Sequence, residues 1–517
     1  MKAITRPLLF MTLLLPGSIQ AYPLDGYKET GIGRIEAARL AQLGQIPGRK
    51  QPPGALLPLQ YVDLRLLDYP DLQLPPPDPG FSAKITRLLG RQKSRYGLAV
   101  LDISDPARPL YAEHRGDYRQ NVGSVGKILV ALAIFQALAD IYPDDIDARK
   151  RILHDTIITA DDFIYTDHHK VRFWDPLRQR LIRRPLRIGD RGNLWEWLDW
   201  MMSASSNAAA ATVMKQAMLL RHYGLNYPVP EDEARQFFRS TPRKILTQLL
   251  LKTFVEPVSR NGLDPQNFRQ GSFFTHNGKK KVPGVSSYGT PKQLLLYTLR
   301  MEQGRLVDTF SSREIKRLLY MTERRIRYAS SPALSESAVY FKSGSLYKCK
   351  PEPGFVCKKY HGNVRNYMNS VALIESPVGQ NRIDYMVTLL SNVLYKNSAV
   401  AHQTLATRIH RQLESLHPQA ALTEDGTPLA ENFGEHLIGY AEKRQQRQQI
   451  VSTQAALTKL GYATGGIDGK IGPKTRRAIK KFQLEEHIKV DGKVSDALLE
   501  RLNAALYADL PQPHPGQ

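Results

Sequence analysis

The chain has 517 residues, 72 lysines and arginines against 49 aspartates and glutamates, and a formal net charge of +23. That length leaves room for two or three domains with ample surface to bury. The positive charge calls for an anionic counterpart. The exported chain read below excludes nucleic acid and leaves wall polymers, lipid head groups or carboxylate-bearing peptides.

Residues 1–21, MKAITRPLLFMTLLLPGSIQA, carry Lys2 and Arg6, an apolar core from Leu8 to Leu15, then Pro16 and Gly17. They read as a secretory signal cleaved after Ala21, although Ile19 fits the −3 position less well than alanine does. The apolar core is short of the ~20 residues a spanning helix needs, and no other stretch approaches that length. The mature chain is therefore expected to be exported, with no transmembrane segment.

From residue 22 to residue 80 the prolines of QIPGRKQPPGALLPLQ and LQLPPPDPG predict an extended arm over the surface, or a linker. A compact domain is expected over residues 81–415. FSAKITRLLGRQ has helical spacing, and YGLAVLDIS and PLYAEH read as strands joined by a proline-containing turn. In the following stretch, SVGKILVALAIFQAL, Lys127 leads into a run from Ile128 to Leu138 broken only by Gln136. Such a run predicts a helix apolar on every face and therefore buried, yet its first turn holds a serine and an ionisable amine. Desolvating a lone lysine is costly, so a helix with only a packing role should avoid it.

Farther on, DDFIYTDHHK brings together Asp161, Asp162, Asp167, His168 and His169. Adjacent histidines project in different directions and lack the i, i+4 spacing of zinc-binding pairs, so no metal is expected. The basic run from Lys170 to Arg191, with Arg178, Arg180, Arg183, Arg184 and Arg187, reads as a solvated loop. Asn193 with Glu196 resembles a capping pair ahead of LWEWLDWMMSASSNAAAATVM, whose tryptophans read as core. After Thr290-Pro291, KQLLLYTLRMEQ and SSREIKRLLYMT predict helices. SAVYFKSGS, NSVALIES and IDYMVTLLSNV predict strands, and AVAHQTLATRIHRQLESL a closing helix. Helices between an N-terminal strand pair and three C-terminal strands predict an α+β fold, an antiparallel sheet flanked by helices.

Cys349 and Cys357, the only cysteines, bracket a loop with Pro-Gly turn material. Export makes a disulfide the expected state, worth about 2–3 kcal/mol in the chain-entropy model, and no matching cluster nearby supplies further ligands for a metal. Residues 416–449 read as a linker, 450–504 as a small separate module, and 505–517 as a tail.

In SVGK, Ser124 and Lys127 are three apart and share one helix face. A first-turn serine also sits near the positive end of the helix dipole. A lysine kept neutral by burial can act as base toward the serine hydroxyl if its pKa falls several units from ~10.4. S-x-x-K is common by chance, and Ser345–Lys348 repeats it. Its company raises its meaning: SASSN supplies Ser205 and Asn207, and FKSGS supplies Lys342, Ser343 and Gly344. A second S-x-N, Ser259–Asn261, reads as an ordinary turn.

With S-x-x-K, S-x-N and K-[ST]-G in this order, the chain resembles the penicillin-recognising serine enzymes, the β-lactamases and D-Ala-D-Ala peptidases, and looks nearest to class A β-lactamases. The resemblance spans roughly residues 81–415. It implies Ser124 as acylated nucleophile, Lys127 as its base, and Ser205 as proton relay to the leaving nitrogen. It further implies that Asn207 holds the substrate amide, that Lys342 and Ser343 meet the substrate carboxylate, and that the N–H groups of Ser124 and Ser345 form the oxyanion hole. Gly344 is expected to let a substrate backbone lie close to the strand. No cofactor is implied. The class A deacylating motif E-x-x-L-N is missing between Asn207 and Thr290: GSFFTHNG stands near its place, with phenylalanines where the acid belongs and His276 as a conceivable substitute.

The C-terminal stretch, with L-G-Y at 460–462, D-G-x-x-G-x-x-T at 468–475 and A-I-x-x-F-Q at 478–483, looks like the three-helix peptidoglycan-binding domain. Gly469 and Gly472 are expected to shape turns, and Ile479 and Phe482 to fill a core. The resemblances together imply a periplasmic or envelope-located serine acyltransferase or hydrolase. Its partners would be peptidoglycan peptides ending in D-Ala-D-Ala and β-lactams, as substrates or inhibitors. The alternatives are a β-lactamase with an unfamiliar deacylating base and a non-catalytic peptidoglycan-binding scaffold.

Overall fold

The computed structural model describes residues 25–48, 50–320, 325–418, 449–467 and 469–507. The expected signal segment and most of the expected linker and tail lie outside the described residues. The chain divides into two units, Met1–Thr427 and Pro428–Gln517.

The first unit begins with two short helices, α1 (Tyr27–Thr30) and α2 (Gly33–Gln42), followed by an irregular path to α3 (Pro79–Leu88). Proline content predicts an extended arm here and misses both helices. Ile32, just before α2, and Ile35, Ala37 and Leu40 within it are buried, and Arg34 forms a bidentate pair with buried Asp199, both bonds 2.6 Å. Farther along, Arg65 reaches Glu375 at 2.6–2.8 Å, and Lys316 joins that carboxylate at 2.7 Å. Two desolvated ion pairs thus fix the segment to the domain.

Strands β1 (Tyr96–Asp102) and β2 (Leu110–His114) lead to a tight 3-10 turn, Gly123–Gly126, and the long α4 (Lys127–Ile141). Every residue of α4 from Lys127 to Leu138 is buried, as a helix apolar all round must be. Then come α5 (Ile146–Asp155), β3 (Ile157–Thr159), a hairpin of β4 (Lys170–Asp175) and β5 (Arg180–Pro185), and β6 (Arg191–Asn193), which pairs with β3. The basic run is therefore a β-hairpin rather than a loop, with Lys170 opposite Pro185 and Arg172 opposite Arg183. Most of its charges are exposed, but Arg184 stacks 3.9 Å over Phe173 and bonds Asp190.

Helix α6 (Leu194–Met202) starts on Asn193, whose Oδ1 accepts the Glu196 N–H at 2.8 Å. The reciprocal half of a capping box is absent, because Glu196 accepts from Gly33 instead. Trp197 and Trp200 meet edge-on at 5.0 Å in the core. Helix α7 (Asn207–Tyr223) follows, then α8 (Glu231–Ser240), α9 (Arg243–Phe254), α10 (Glu256–Arg260), β7 (Phe268–Arg269), α11 (His276–Lys281), β8 (Tyr288–Gly289), α12 (Pro291–Glu302) and α13 (Thr309–Tyr320). Strands β9 (Ala338–Lys348), β10 (Arg365–Ser376) and β11 (Ile383–Asn392) and helix α14 (Ser398–Glu414) complete the unit.

The main sheet is antiparallel, in the order β2-β1-β11-β10-β9. Phe81 and Ile85 of α3 and Leu405, Ile409 and Leu413 of α14 pack one face, against Val100, Ala372, Ile374 and Val387. On the other face the carbonyl of Pro291, first residue of α12, accepts from Thr388. Covered on both sides, β11 is buried almost end to end and reads as a continuous apolar run. The Cys349–Cys357 disulfide closes the loop between β9 and β10.

Among the described residues the second unit has three helices, α15 (449–459), α16 (Pro473–Glu485) and α17 (Asp496–Tyr507). Leu457, Ala478, Ile479, Phe482, Leu498 and Leu502 form its core. A buried glutamine holds each of its two D-G-K turns: Gln454 accepts from Gly469, and Gln483 from Gly492. Gly469 is left-handed, φ +73°, as a turn glycine is expected to be. Gly472 donates its N–H to the Lys470 carbonyl at 3.1 Å and caps α16 at φ −80°, which any residue adopts.

Candidate active site

The sequence at 120–127 turns sharply before α4. Asn121 Oδ1 accepts the Gly123 N–H at 2.8 Å, and Gly123 takes φ +55°. The turn lies directly on β9. A Cβ at Gly344 would come 2.1 Å from the Val122 carbonyl oxygen and 2.7 Å from the Ser124 nitrogen. This corrects the expectation for Gly344: its missing side chain makes room for the serine-bearing turn, not for a substrate backbone. The same approach brings Ser124 N and Ser345 N to neighbouring backbones, Ser345 N being 3.4 Å from where a Gly123 Cβ would sit.

Lys127 is fully buried. Its Nζ has three oxygens in reach: Ser124 Oγ at 2.9 Å, Ser205 O at 3.0 Å and Asn207 Oδ1 at 2.8 Å. Two of these are carbonyl oxygens and can only accept. A neutral amine has two N–H groups and one lone pair, so the carbonyls use both donors and the lone pair faces the Ser124 hydroxyl. Burial pushes the Lys127 pKa down to about 7, against the opposing pull of Asp167 and with the help of Arg327. The Phe274 ring stands 4.5 Å from Nζ, on the loop where an acid was sought in the sequence. His276 begins α11, exposed and outside the cavity wall, so it does not serve as the substitute base.

Ser205 occupies the left-handed region at φ +60°, rare for a residue with a Cβ. That conformation turns its carbonyl to Lys127 while its Oγ accepts from Lys342 Nζ at 2.8 Å. Lys342 is also buried, and its pKa is held well below the ordinary range by desolvation and then by the charges of Lys127 and Arg327. Two buried lysines thus share one hydrogen-bonded chain with two half-buried serines: Ser124, Lys127, Ser205, Lys342.

The structure adds residues to which the sequence reading gave no role in the site. Arg327, from the link between α13 and β9, reaches Ser343 Oγ at 2.7 Å, Ser345 Oγ at 3.2 Å and Tyr360 OH at 2.9 Å. It keeps a cation beside K-S-G, yet no motif in RIRYASS marks it. Asp167 lies under the start of α7. Its Oδ2 accepts from Ser206 Oγ and from the Asn207 and Ala208 N–H groups, while Oδ1 accepts from the N–H and Nδ1 of His169. These bonds to the helix N-terminus and His169 outweigh burial and hold the carboxyl well below its usual range. His168 and His169 stack at 4.7 Å, which corrects the expectation that their rings diverge. Asp167, His168 and His169 each offer a donor atom within 4.8 Å of the others. The five donors on Asp167 already fill its about four lone-pair sites, so the group is built as a hydrogen-bonded pair rather than a cation cage.

These side chains line one cavity of about 670 Å³, open to solvent, which Ser124, Ser205, Asn207, Ser343, Ser345 and His169 share. Lys170, Arg183, Lys279, Arg327 and Lys359 add positive charge to its wall, and among the described residues no carboxylate lines it. The second S-x-x-K and the second S-x-N bring no further base or amide to the cavity: Lys348 is exposed at the end of β9, and Asn261 is a buried structural amide bonded to Gln136.

A serine, two buried lysines and a cavity between a sheet edge and a helical layer define a serine hydrolase site. The family model described as the beta-lactamase enzyme family matches residues 80–397, more than half of the chain, and the protein belongs to that family. A peptidoglycan binding domain model matches residues 446–502. No curated protein matches the chain. Among solved structures, a point mutant of PBP-A in an acyl-enzyme complex with penicillin G is 14% identical, TM-score 0.41, covering 66% of this chain and 100% of its own. A β-lactamase from Sphaerobacter thermophilus is 14% identical, TM-score 0.42, covering 64% and 97%. The TLA-3 extended-spectrum β-lactamase is 14% identical, TM-score 0.42, covering 65% and 98%.

Proposed function

We propose that this protein is an exported serine acyltransferase or hydrolase that forms an acyl-enzyme at Ser124. Its substrates are peptidoglycan peptides ending in D-Ala-D-Ala, and it takes β-lactams by the same route. The observation that carries the reading is the bonding of Lys127: two carbonyl acceptors leave its lone pair for the Ser124 hydroxyl. Lys127 takes the hydroxyl proton as Oγ attacks the substrate carbonyl carbon. The N–H groups of Ser124 and Ser345 receive the developing oxyanion. As the amide bond breaks, Ser205 passes a proton to the leaving nitrogen, with Lys342 behind it in the chain. Asn207 gives its oxygen to Lys127, and its amide nitrogen holds the substrate amide. Lys342, Ser343 and Arg327 meet the terminal carboxylate, and the cationic wall suits an anionic peptide.

The C-terminal module supports a wall-held enzyme in the cell envelope, since tethering raises the effective concentration of the polymer. The test is intact-mass spectrometry over time with a penicillin. The native protein gains the mass of the drug and Ser124→Ala does not. Absence of any adduct and of any drug turnover, with stem peptides as well, leaves only the scaffold reading.

A further inference from the structure

An acyl group on Ser124 has to leave, and the loop that should bring a glutamate brings Phe274 instead. The cavity wall offers no carboxylate among the described residues, which turns attention to its nitrogen bases. Lys127 and Lys342 are spoken for in the chain that acylates Ser124. The arginines stay protonated. The remaining wall lysines, Lys170, Lys279 and Lys359, are exposed, as is His168; the nitrogen base built into the wall is His169, with Asp167 behind it.

We propose that His169, oriented by Asp167, is the general base that activates water to release the acyl group from Ser124; this rests on the acyl-enzyme reading above. Asp167 Oδ1 holds Nδ1 at 2.6 Å and the backbone N–H of His169 at 3.1 Å, so the ring has a fixed orientation and tautomer. With Nδ1–H donating to the carboxylate, Nε2 is a lone pair with no partner among the described residues, on a side chain that lines the cavity. Asp167 cannot swing away, because three further donors at the start of α7 hold its other oxygen. One of them, the Asn207 N–H, belongs to the residue that binds Lys127, so a single carboxylate sets both the acylating lysine and the histidine. The His168 ring stacks on His169 and limits its tilt.

In the step itself, the water oxygen bonds to the ester carbonyl carbon as Nε2 takes the water proton. The bond from that carbon to Ser124 Oγ then breaks, and the proton returns from the imidazolium to Oγ. The products are free serine and a carboxylic acid, which loses its proton to solvent. The groups that face His169 favour its neutral form. Burial lowers its pKa, as do the charges of Lys127 on α4 and of His168, and Asp167 alone opposes them. Arg183 of the hairpin and Lys279 of α11, on the same wall, add positive charge.

The test follows acylation and release separately, with benzylpenicillin and a peptide thioester, by rapid quench and intact mass. His169→Asn should acylate within about threefold of the native rate and release the acyl group about 10²–10⁴-fold more slowly, the range that general bases contribute. In the native protein the pH limb of release should lie below the ordinary ~6.5 of histidine, on the acid side of the acylation limb near 7. Imidazole added to His169→Gly should restore release, which a merely structural role would not allow. Release from His169→Asn at the native rate overturns the proposal, as does a matching fall in acylation and release. A native protein that forms no adduct and turns over no drug defeats the acyl-enzyme reading, and this inference with it.

Discussion

Asn207→Asp tests the acylating pair most directly. The substitution keeps the shape of the side chain and puts a carboxylate oxygen where Asn207 Oδ1 now sits, 2.8 Å from Lys127 Nζ. Two unit charges at that separation attract by about 6 kcal/mol at an effective dielectric of ~20, an upper figure because the new carboxylate is itself desolvated. If half of it reaches the lysine, the Lys127 pKa rises by roughly 2 units at ~1.36 kcal/mol per unit. Acylation needs the neutral amine. In the native protein its rate should rise with pH through about 7. In Asn207→Asp the limb should move to about pH 9, with acylation at pH 7 down on the order of 100-fold. Stability moves with the same sign. A lysine with a lowered folded pKa costs stability fully below about pH 7, and the cost fades as pH rises toward ~10.4. The assay is stopped-flow acylation from pH 5.5 to 10, read as the position of the limb, because weakened substrate binding changes the amplitude but not the midpoint. A midpoint that stays near 7 in the variant removes Lys127 from the role of base.

Two further substitutions bear on the frame of the site. Arg34→Ala strands the carboxylate of Asp199, wholly buried at the foot of the tryptophan helix, and should cost about 3–5 kcal/mol in chemical denaturation. A loss below about 1 kcal/mol would make the N-terminal segment a loose arm after all. Gly344→Ala drives a methyl against backbone atoms of the 122–124 turn and should cut acylation by at least about tenfold, while overpacking costs about 1–3 kcal/mol. Native acylation by that variant would mean that the turn does not need β9 so close.

The order of S-x-x-K, S-x-N and K-S-G was legible because each motif satisfies a local demand. Ser124 and Lys127 must share a face three residues apart, Ser205 and Asn207 must open α7, and Lys342 must stand on a strand. The strands β1, β9, β10 and β11 were legible as well, since burial on both faces writes itself as apolar runs. The helices within the N-terminal segment were hidden by prolines, because what holds α2 in place is a pairing of Arg34 with an aspartate 165 positions away.

The same distance limit explains the rest of the site. Arg327 reaches K-S-G from a link with no motif, and Asp167 and His169 come from a stretch that sequence spacing singles out only to set aside as a metal site. Gly344 was noticed for the right reason, close approach, with the wrong neighbour in mind. Sequence by itself determined the three motifs, the strands of the sheet and the C-terminal stretch that matches a peptidoglycan binding domain model, because residue type, spacing and short-range periodicity are enough to mark them. Tertiary structure alone decided which groups surround Ser124, since hydrogen bonds and desolvation act through space between residues that the chain keeps far apart.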